Sequence, residues 1–307
     1  MSKFAIVFPG QGSQSVGMLA ELGQQYDVIQ QTFAEASEVL GYDLWALVQN
    51  GPVEDLNQTS RTQPALLASS VALWRLWQSL GLDQPALLAG HSLGEYSALV
   101  CAGVVDFKQA IKLVELRGQL MQEAVPAGVG AMSAIIGLDD ELIAKACEEA
   151  AQGEVVSPVN FNSPGQVVIA GNKDAVERAG QLCKEAGAKR ALPLPVSVPS
   201  HCALMKPAAD KLAVALQSIE FNAPQIPVIN NVDVIAEIDP AKIKDALVRQ
   251  LYSPVRWTEC VQLMNEQGIE KLLEVGPGKV LTGLTKRIIK SLESAAVNDI
   301  ASLDAVK

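Results

Sequence analysis

Histidine is almost missing from this chain: its 307 residues include two, His91 and His201. Any chemistry that needs an imidazole must use one of them. Cysteine is sparse and odd in number. The five thiols, Cys101, Cys147, Cys183, Cys202 and Cys260, include no C-x-x-C pair. That spacing excludes a disulfide framework or a zinc site and fits reduced thiols in a cytoplasmic protein. Long hydrophobic runs are also lacking. The nearest candidate, Pro85 to Val105, is interrupted by His91 and Glu95, so a membrane span is not expected. The apolar run Phe4 to Phe8 is too short for a signal peptide. Positive charge is in deficit: 24 Lys and Arg against 34 Asp and Glu leave a net charge of −10. Nucleic acid and anionic membranes are therefore poor candidates for the main partner, though local basic patches remain open.

The composition that remains is globular, with 49% apolar and 19% charged residues. The length suits about two domains, or one large α/β domain carrying an insert. Strand patterns at residues 3–8, 85–89 and 271–275 are separated by helical patterns at 65–80, 106–124, 203–217 and 242–251. Short apolar strands alternating with helices predict a mainly parallel sheet covered on both faces. Residues 129–197 read differently. Strand, helix, two strands joined by Asn162-Ser163-Pro164-Gly165, a second helix and a last strand follow in order. This β-α-β-β-α-β order is ferredoxin-like. The expected organisation is a core of residues 1–128 and 198–307 with a small inserted subdomain at 129–197. A continuation of the main sheet through this region is the alternative.

Gly90-His91-Ser92-Leu93-Gly94 matches G-x-S-x-G, with a strand before it and a helical pattern after it. That is the setting of a nucleophile elbow, in which a sharp turn presents a serine at the end of a strand. A serine hydroxyl needs a base. His91 is adjacent to Ser92, so its side chain should diverge. By exclusion His201 is the expected base, and His91 a packing or helix-start residue. No Asp or Glu stands out as the third member, so an amide or a backbone carbonyl can orient the imidazole instead. The loop Phe8-Pro-Gly-Gln-Gly-Ser-Gln14 fails both as a dinucleotide fingerprint and as a P-loop. It is either a plain strand-to-helix turn or a source of one oxyanion donor, the Gln11 N–H, beside that of Leu93. Arg117 falls inside the apolar stripe of its helix. It is either paired with a nearby Glu or a fork awaiting a substrate carboxylate.

Taken together, Gly10-Gln-Gly-Ser-Gln14, Thr62-Gln-Pro-Ala65, Gly90-His-Ser-Leu-Gly94, Arg117, Asn160-Phe-Asn-Ser-Pro-Gly165, Pro199-Ser-His201 and Glu274-Val-Gly-Pro-Gly278 resemble the malonyl-CoA:acyl carrier protein transacylases of bacterial fatty acid synthesis. The resemblance covers Phe4 to about Lys290; residues 291–307 carry no motif. It implies an α/β-hydrolase-like core with a ferredoxin-like insert. It implies Ser92 as nucleophile, His201 as base, the Gln11 and Leu93 N–H groups as oxyanion hole, and Arg117 as holder of the malonyl carboxylate. It also implies that the backbone carbonyl of Gln250 orients the histidine. Val198-Pro-Ser-His201 matches neither tetrapeptide version of the related polyketide acyltransferases, so malonyl preference follows from Arg117 and the overall match.

The expected reaction is malonyl transfer from malonyl-CoA to the thiol of acyl carrier protein through malonyl-Ser92, with no metal or bound redox cofactor. A serine thioesterase shares the same site chemistry, but a plain esterase has no need of Arg117. A non-catalytic carrier-binding module is disfavoured by an intact Ser92 and His201. An acidic carrier protein must meet a local basic patch on this acidic chain. Thr285-Lys-Arg-Ile-Ile-Lys290 is the first candidate, with Lys286 and Lys290 four apart on one helical face beside Arg287. Lys189 and Arg190 are the second.

Overall fold

The computed structural model describes residues 3–196 and 198–307. Met1 and Ser2, which open the expected core, and Ser197, which closes the expected subdomain, lie outside the described residues. The first half runs β1 (Phe4–Phe8), α1 (Ala20–Gln25), α2 (Asp27–Leu40), α3 (Leu44–Asn50), α4 (Val53–Leu56), α5 (Thr59–Ser79), β2 (Leu87–Gly90), α6 (Leu93–Cys101) and α7 (Phe107–Ala124). A second group follows: β3 (Gly130–Ile136), α8 (Asp140–Ala151), β4 (Val156–Ser163), β5 (Gln166–Asn172), α9 (Lys173–Glu185) and β6 (Arg190–Pro193). The chain then returns through a short 3-10 turn (Ala203–Met205), α10 (Lys206–Gln217), β7 (Val228–Ile229), α11 (Pro240–Gln250), α12 (Trp257–Glu266), β8 (Lys271–Val275), α13 (Val280–Ile288), β9 (Glu293–Val297) and α14 (Ile300–Asp304).

The larger sheet is ordered β7-β2-β1-β8-β9, and every pairing in it is parallel. Strand alternation divides its central strand between two cores. Ile6 and Phe8 enter the cluster built by α2, α5, α6, α7 and α10, whereas Ala5 and Val7 enter the one built by α12 and α13. Burial on both faces explains why β1 reads as a continuous apolar run. The smaller sheet is antiparallel, in the order β4-β5-β3-β6 expected of the ferredoxin-like arrangement. One face carries α8 and α9; the other packs on Cys202, next to His201. Its edge strand β4 exchanges bonds with the core through Phe161 N to Val255 O (2.9 Å) and Val255 N to Val159 O (2.8 Å). Among the described residues no helix is long and apolar enough to cross a membrane.

Two sequence expectations, on the start of one helix and the end of another, need correction, and the motif-free end of the chain proves to be structured. The helix expected at 65–80 begins at Thr59 and runs through Pro64. Proline removes one i→i−4 bond there, but the burial of nearly the whole helix outweighs that loss. Residues 291–307, which carry no motif, add β9 to the sheet and form α14, whose start is closed by a capping box between Asp299 and Ser302. Helix α13 stops at Ile288, with Ile289 extended, so Lys290 does not share a helical face with Lys286.

Candidate active site

The elbow is formed where β2 meets α6. Both glycines of the motif are demanded by contact. A Cβ on Gly90 would lie 1.9 Å from the Gly94 carbonyl, and one on Gly94 would lie 2.1 Å from the Phe8 carbonyl of β1. Ser92 between them has φ 52° and ψ −108°, a conformation that L-residues rarely adopt. Its own N–H is occupied, donating to Asn231 Oδ1 at 2.7 Å. The next N–H, of Leu93, is the first of α6 and has no intrahelical acceptor.

His201 sits opposite, buried at 3% exposure, with its Nε2 2.8 Å from Ser92 Oγ. Its Nδ1 is 2.6 Å from the backbone oxygen of Gln250. A carbonyl only accepts, so Nδ1 carries the proton and Nε2 presents its lone pair to the serine. Gln250 is the last residue of α11, and its carbonyl is one of those a helix leaves unpaired at its negative end. A helix terminus thus fills the place where a carboxylate was sought. Burial, then the positive charge of Arg117, push the His201 pKa down to about 3, so the imidazole is neutral at neutral pH.

Arg117 projects from α7 and is 1% exposed. Its Nη1 donates to Gln63 Oε1 (2.9 Å), and its Nη2 to Gln250 Oε1 (3.1 Å) and Ser92 Oγ (3.4 Å). Its Nε has no hydrogen-bond partner, and no carboxylate is in ion-pair contact with it among the described residues. The pairing with a nearby Glu, open from the sequence, is replaced by neutral amide oxygens. The Glu95 carboxyl lies one residue farther back, accepting from Gln250 Nε2 at 2.8 Å. Burial raises its pKa to about 7 against the pull of these donors and of Arg117.

Gln11 is exposed on the loop after β1, its side chain donating to Thr59 Oγ1 at 3.3 Å. The loop packs tightly on the elbow: a Cβ on Gly10 would lie 2.5 Å from the His91 carbonyl. Gln11, Asn57 and Thr59 form one wall of a cavity of about 700 Å³. Residues of β3, α9 and the β6 region, Lys173, Glu177 and Lys184 among them, line the other side, so the cavity runs between the small subdomain and the loop after β1 with the start of α5. His91 points away from the serine, with its Nε2 2.8 Å from Asn162 Oδ1 and its ring 5.6 Å from that of Trp257. Lys286 and Arg287 are exposed at the end of α13, where Arg287 donates to Gln166 of the small sheet. Lys290 lines a shallow depression with Lys286 and Lys271. Lys189 and Arg190 are exposed at the start of β6.

Sequence reasoning missed Asn231, Glu95 and Gln63. Gln63 and Asn162 stand inside quoted motifs, without a role. The Asn230-Asn231 pair ends the two-residue strand β7, too short to stand out as a pattern. Glu95 reads as an ordinary first-turn acid, and only the burial of α6 sets it apart.

The sequence and the fold as a whole are similar to those of known proteins. The acyl transferase domain model matches residues 5–305. A malonyl CoA-acyl carrier protein transacylase of Salmonella typhimurium is 71% identical over 305 residues, covering 99% of each chain. A crystal structure of an acyl carrier protein S-malonyltransferase from Vibrio cholerae superposes with a TM-score of 0.98 at 85% identity over 100% of both chains. A type II PKS acyl-carrier protein in complex with its malonyl-transacylase matches at a TM-score of 0.99 and 72% identity over 99% of each chain. Since that model spans both sheets, the match leaves one assignment: the chain belongs to the acyl transferase domain family.

Proposed function

We propose that this protein moves the malonyl group from malonyl-CoA to the phosphopantetheine thiol of acyl carrier protein through a malonyl-Ser92 intermediate. The observation that carries this reading is the convergence on Ser92 Oγ of His201 Nε2 at 2.8 Å and Arg117 Nη2 at 3.4 Å, with no carboxylate on the arginine among the described residues. A base and an unneutralised cation beside one hydroxyl suit a thioester whose acyl group ends in a carboxylate.

In the first step His201 Nε2 takes the Oγ proton as the oxygen attacks the thioester carbon. The Leu93 and Gln11 N–H groups stabilise the oxyanion, aided by the positive end of α6. The C–S bond breaks, CoA leaves as the thiol after receiving the proton from His201, and malonyl-Ser92 remains. In the second step the carrier thiol gives its proton to His201 and attacks the ester; Ser92 leaves and is reprotonated. The Gln250 carbonyl stabilises the imidazolium in both steps. Docking of the malonyl carboxylate on Arg117 offsets one of the charges that depress His201, so the right substrate makes the base stronger. The pantetheine arm is assigned to the cavity between the small subdomain and the loop after β1, which Gln11 lines and where Lys173 and Lys184, on either side of Glu177, offer positive charge.

The test is incubation with malonyl-CoA followed by intact-protein mass measurement. A malonyl adduct that is discharged by carrier thiol is expected. Immediate release of malonate without carrier would instead make the enzyme a hydrolase, and no reaction would make it a binding module.

A further inference from the structure

Asn231 and Glu95 lie behind the serine and histidine, 0% and 1% exposed. The Asn231 amide makes two bonds to the elbow. Its Oδ1 accepts from Ser92 N at 2.7 Å and its Nδ2 donates to Gly90 O at 2.8 Å. One side chain therefore holds the turn on both sides of His91. The backbone N–H of Asn231 donates to Glu95 Oε2 at 2.9 Å, and the same oxygen accepts from Gln250 Nε2 at 2.8 Å. Gln250 Nε2 also reaches Ser92 O at 3.2 Å. Gln250 is the residue whose backbone oxygen receives His201 and whose side-chain oxygen receives Arg117. A single carboxylate oxygen thus joins the holder of the serine to the holder of the histidine and the arginine.

The elbow needs such holding. A residue in the Ser92 conformation costs on the order of 1–3 kcal/mol and persists only where its surroundings over-determine it. The glycine contacts set how closely β1, β2 and α6 approach, but they do not set the direction of the Ser92 N–H. Among the described residues its acceptor is the Asn231 oxygen. Loss of one member is costly: without the Asn231 side chain the Ser92 N–H and the Gly90 carbonyl lose these bonds, and without the Glu95 carboxyl the Asn231 N–H loses its acceptor.

We propose that Asn231 and Glu95 are positioning residues for the acyl transfer, fixing Ser92, His201 and Arg117 in mutual register through the shared Glu95 Oε2. Neither touches the substrate. The proposal rests on the reading of Ser92 as nucleophile. The malonyl adduct of the parent enzyme tests that reading alone, so its failure is distinguishable from failure here.

The experiment compares Asn231→Ala, Asn231→Asp, Glu95→Ala and Glu95→Gln in the full chain. The readouts are kcat and KM for malonyl-CoA, the rate at which phenylmethanesulfonyl fluoride modifies Ser92, and thermal unfolding. Displacement by a fraction of an ångström is expected to cost Asn231→Ala and Glu95→Ala about tenfold to a hundredfold in kcat. Sulfonylation should slow in parallel, with KM for malonyl-CoA within about threefold, because the positioned groups act on the step and not on the hold. Glu95→Gln keeps an oxygen for both N–H donors and should recover most of the loss of Glu95→Ala. If an alanine variant gives no cooperative transition, the isosteric variants decide. Asn231→Asp loses the Gly90 donor and sets a second carboxylate beside Glu95, so it should fall at least about tenfold below Glu95→Gln in kcat. Four results overturn the proposal: parent kcat in the folded alanine variants, a loss confined to KM, unchanged sulfonylation, or equal impairment of Glu95→Gln and its alanine or Asn231→Asp comparator.

Discussion

Two arginines, one in the floor of the site and one on the surface nearby, have opposite environments. Arg249 precedes Gln250 on α11, is 30% exposed, and is saturated with carboxylate. It holds Asp233 in a two-pronged grip at 2.8 and 2.7 Å, and Asp245 through Nε at 2.7 Å. Arg117 is buried and holds only amide and hydroxyl oxygens. Neutral acceptors take bonds from both of its terminal nitrogens without cancelling its charge. Outside, water would solvate an unpaired guanidinium cheaply, and yet it is paired. Inside, where an unpaired cation is costly, it is left open. Folding stability alone does not favour that distribution; a ligand anion does. Burial pulls the Arg117 pKa down, while the acids around Arg249 push its pKa up.

The largest effect should come from the groups that Arg117 faces. Ser92→Ala should abolish the malonyl adduct while thermal unfolding stays close to the parent, since the hydroxyl is only partly buried. His201→Ala should lose roughly 10²–10⁴-fold in kcat, the usual range for a general base. A larger loss from His91→Ala would transfer the role of base to the histidine that faces Asn162.

The comparison of arginines is broken or sharpened by removing each. Arg117→Ala should weaken malonyl transfer by about 3 kcal/mol, the scale of charge-assisted bonds, and acetyl transfer by much less. The quantity to measure is the ratio of kcat/KM for the two thioesters. Arg249→Ala should leave that ratio alone and cost about 0–1 kcal/mol of stability, as exposed ion pairs do. Equal loss on both thioesters in Arg117→Ala would make the buried arginine structural, and the contrast would collapse.

The buried floor also predicts a dependence of stability on pH. Glu95 titrates near 7 in the fold against 4.5 when free. The folded chain binds that proton more tightly, so this group makes stability fall as pH rises from about 4.5 to 7. His201 works in the other direction. Its folded value of about 3 lies below 6.5, so its contribution is lost as pH falls from 6.5 toward 3. Between about 4.5 and 6.5 the two oppose each other. Thermal unfolding of Glu95→Gln should therefore gain in midpoint relative to the parent as pH rises through this window. That of His201→Ala should fall relative to the parent over the same range. Each difference spans roughly 3 kcal/mol at most. Midpoint curves parallel to the parent's would show that neither group titrates as its burial demands.

How much of this was legible beforehand follows from the range of the signal. The elbow was readable because the contacts that demand Gly90 and Gly94 lie within five residues and on one strand. The small subdomain was readable because α8 and α9 bury one clear face each, and the turn at Pro164-Gly165 is marked by its residue types. Helices α1 to α4, β7, α12, β9 and α14 were not foreseen. β7 is two residues long, and β9 is half-exposed and borrows its order from β8. Asn231 meets Ser92 from 139 residues away, and no local pattern encodes such a pairing. Gln250 was reachable only through resemblance, because the atom that matters is a backbone carbonyl that every residue has.

The smallest effect should come from the exposed cations that face solvent rather than substrate. A chain of net charge −10 repels an acidic carrier protein unless a local patch reverses the field. The candidate patch is Lys286 and Arg287 at the end of α13, with Lys290 and Lys271 around the adjacent depression, where four cations stand against Glu293. They are not on one helical face, because the helix stops at Ile288, but the depression brings Lys286 and Lys290 together again. Unlike Arg117, they act through water and salt, and their pull fades beyond about 8–10 Å at ordinary ionic strength. Lys286→Glu with Arg287→Glu should raise KM for the carrier protein about threefold to tenfold at low salt, with the difference shrinking as salt is added. Loading of Ser92 from malonyl-CoA should change by less than about twofold, because the patch steers encounter and does not enter the chemistry. Since Arg287 also donates to Gln166, Lys286→Glu alone must show part of the effect; otherwise the double variant reports a loosened small sheet. A carrier KM unmoved at low salt would shift the docking face to Lys189 and Arg190 on β6, where the same charge reversal is the next measurement.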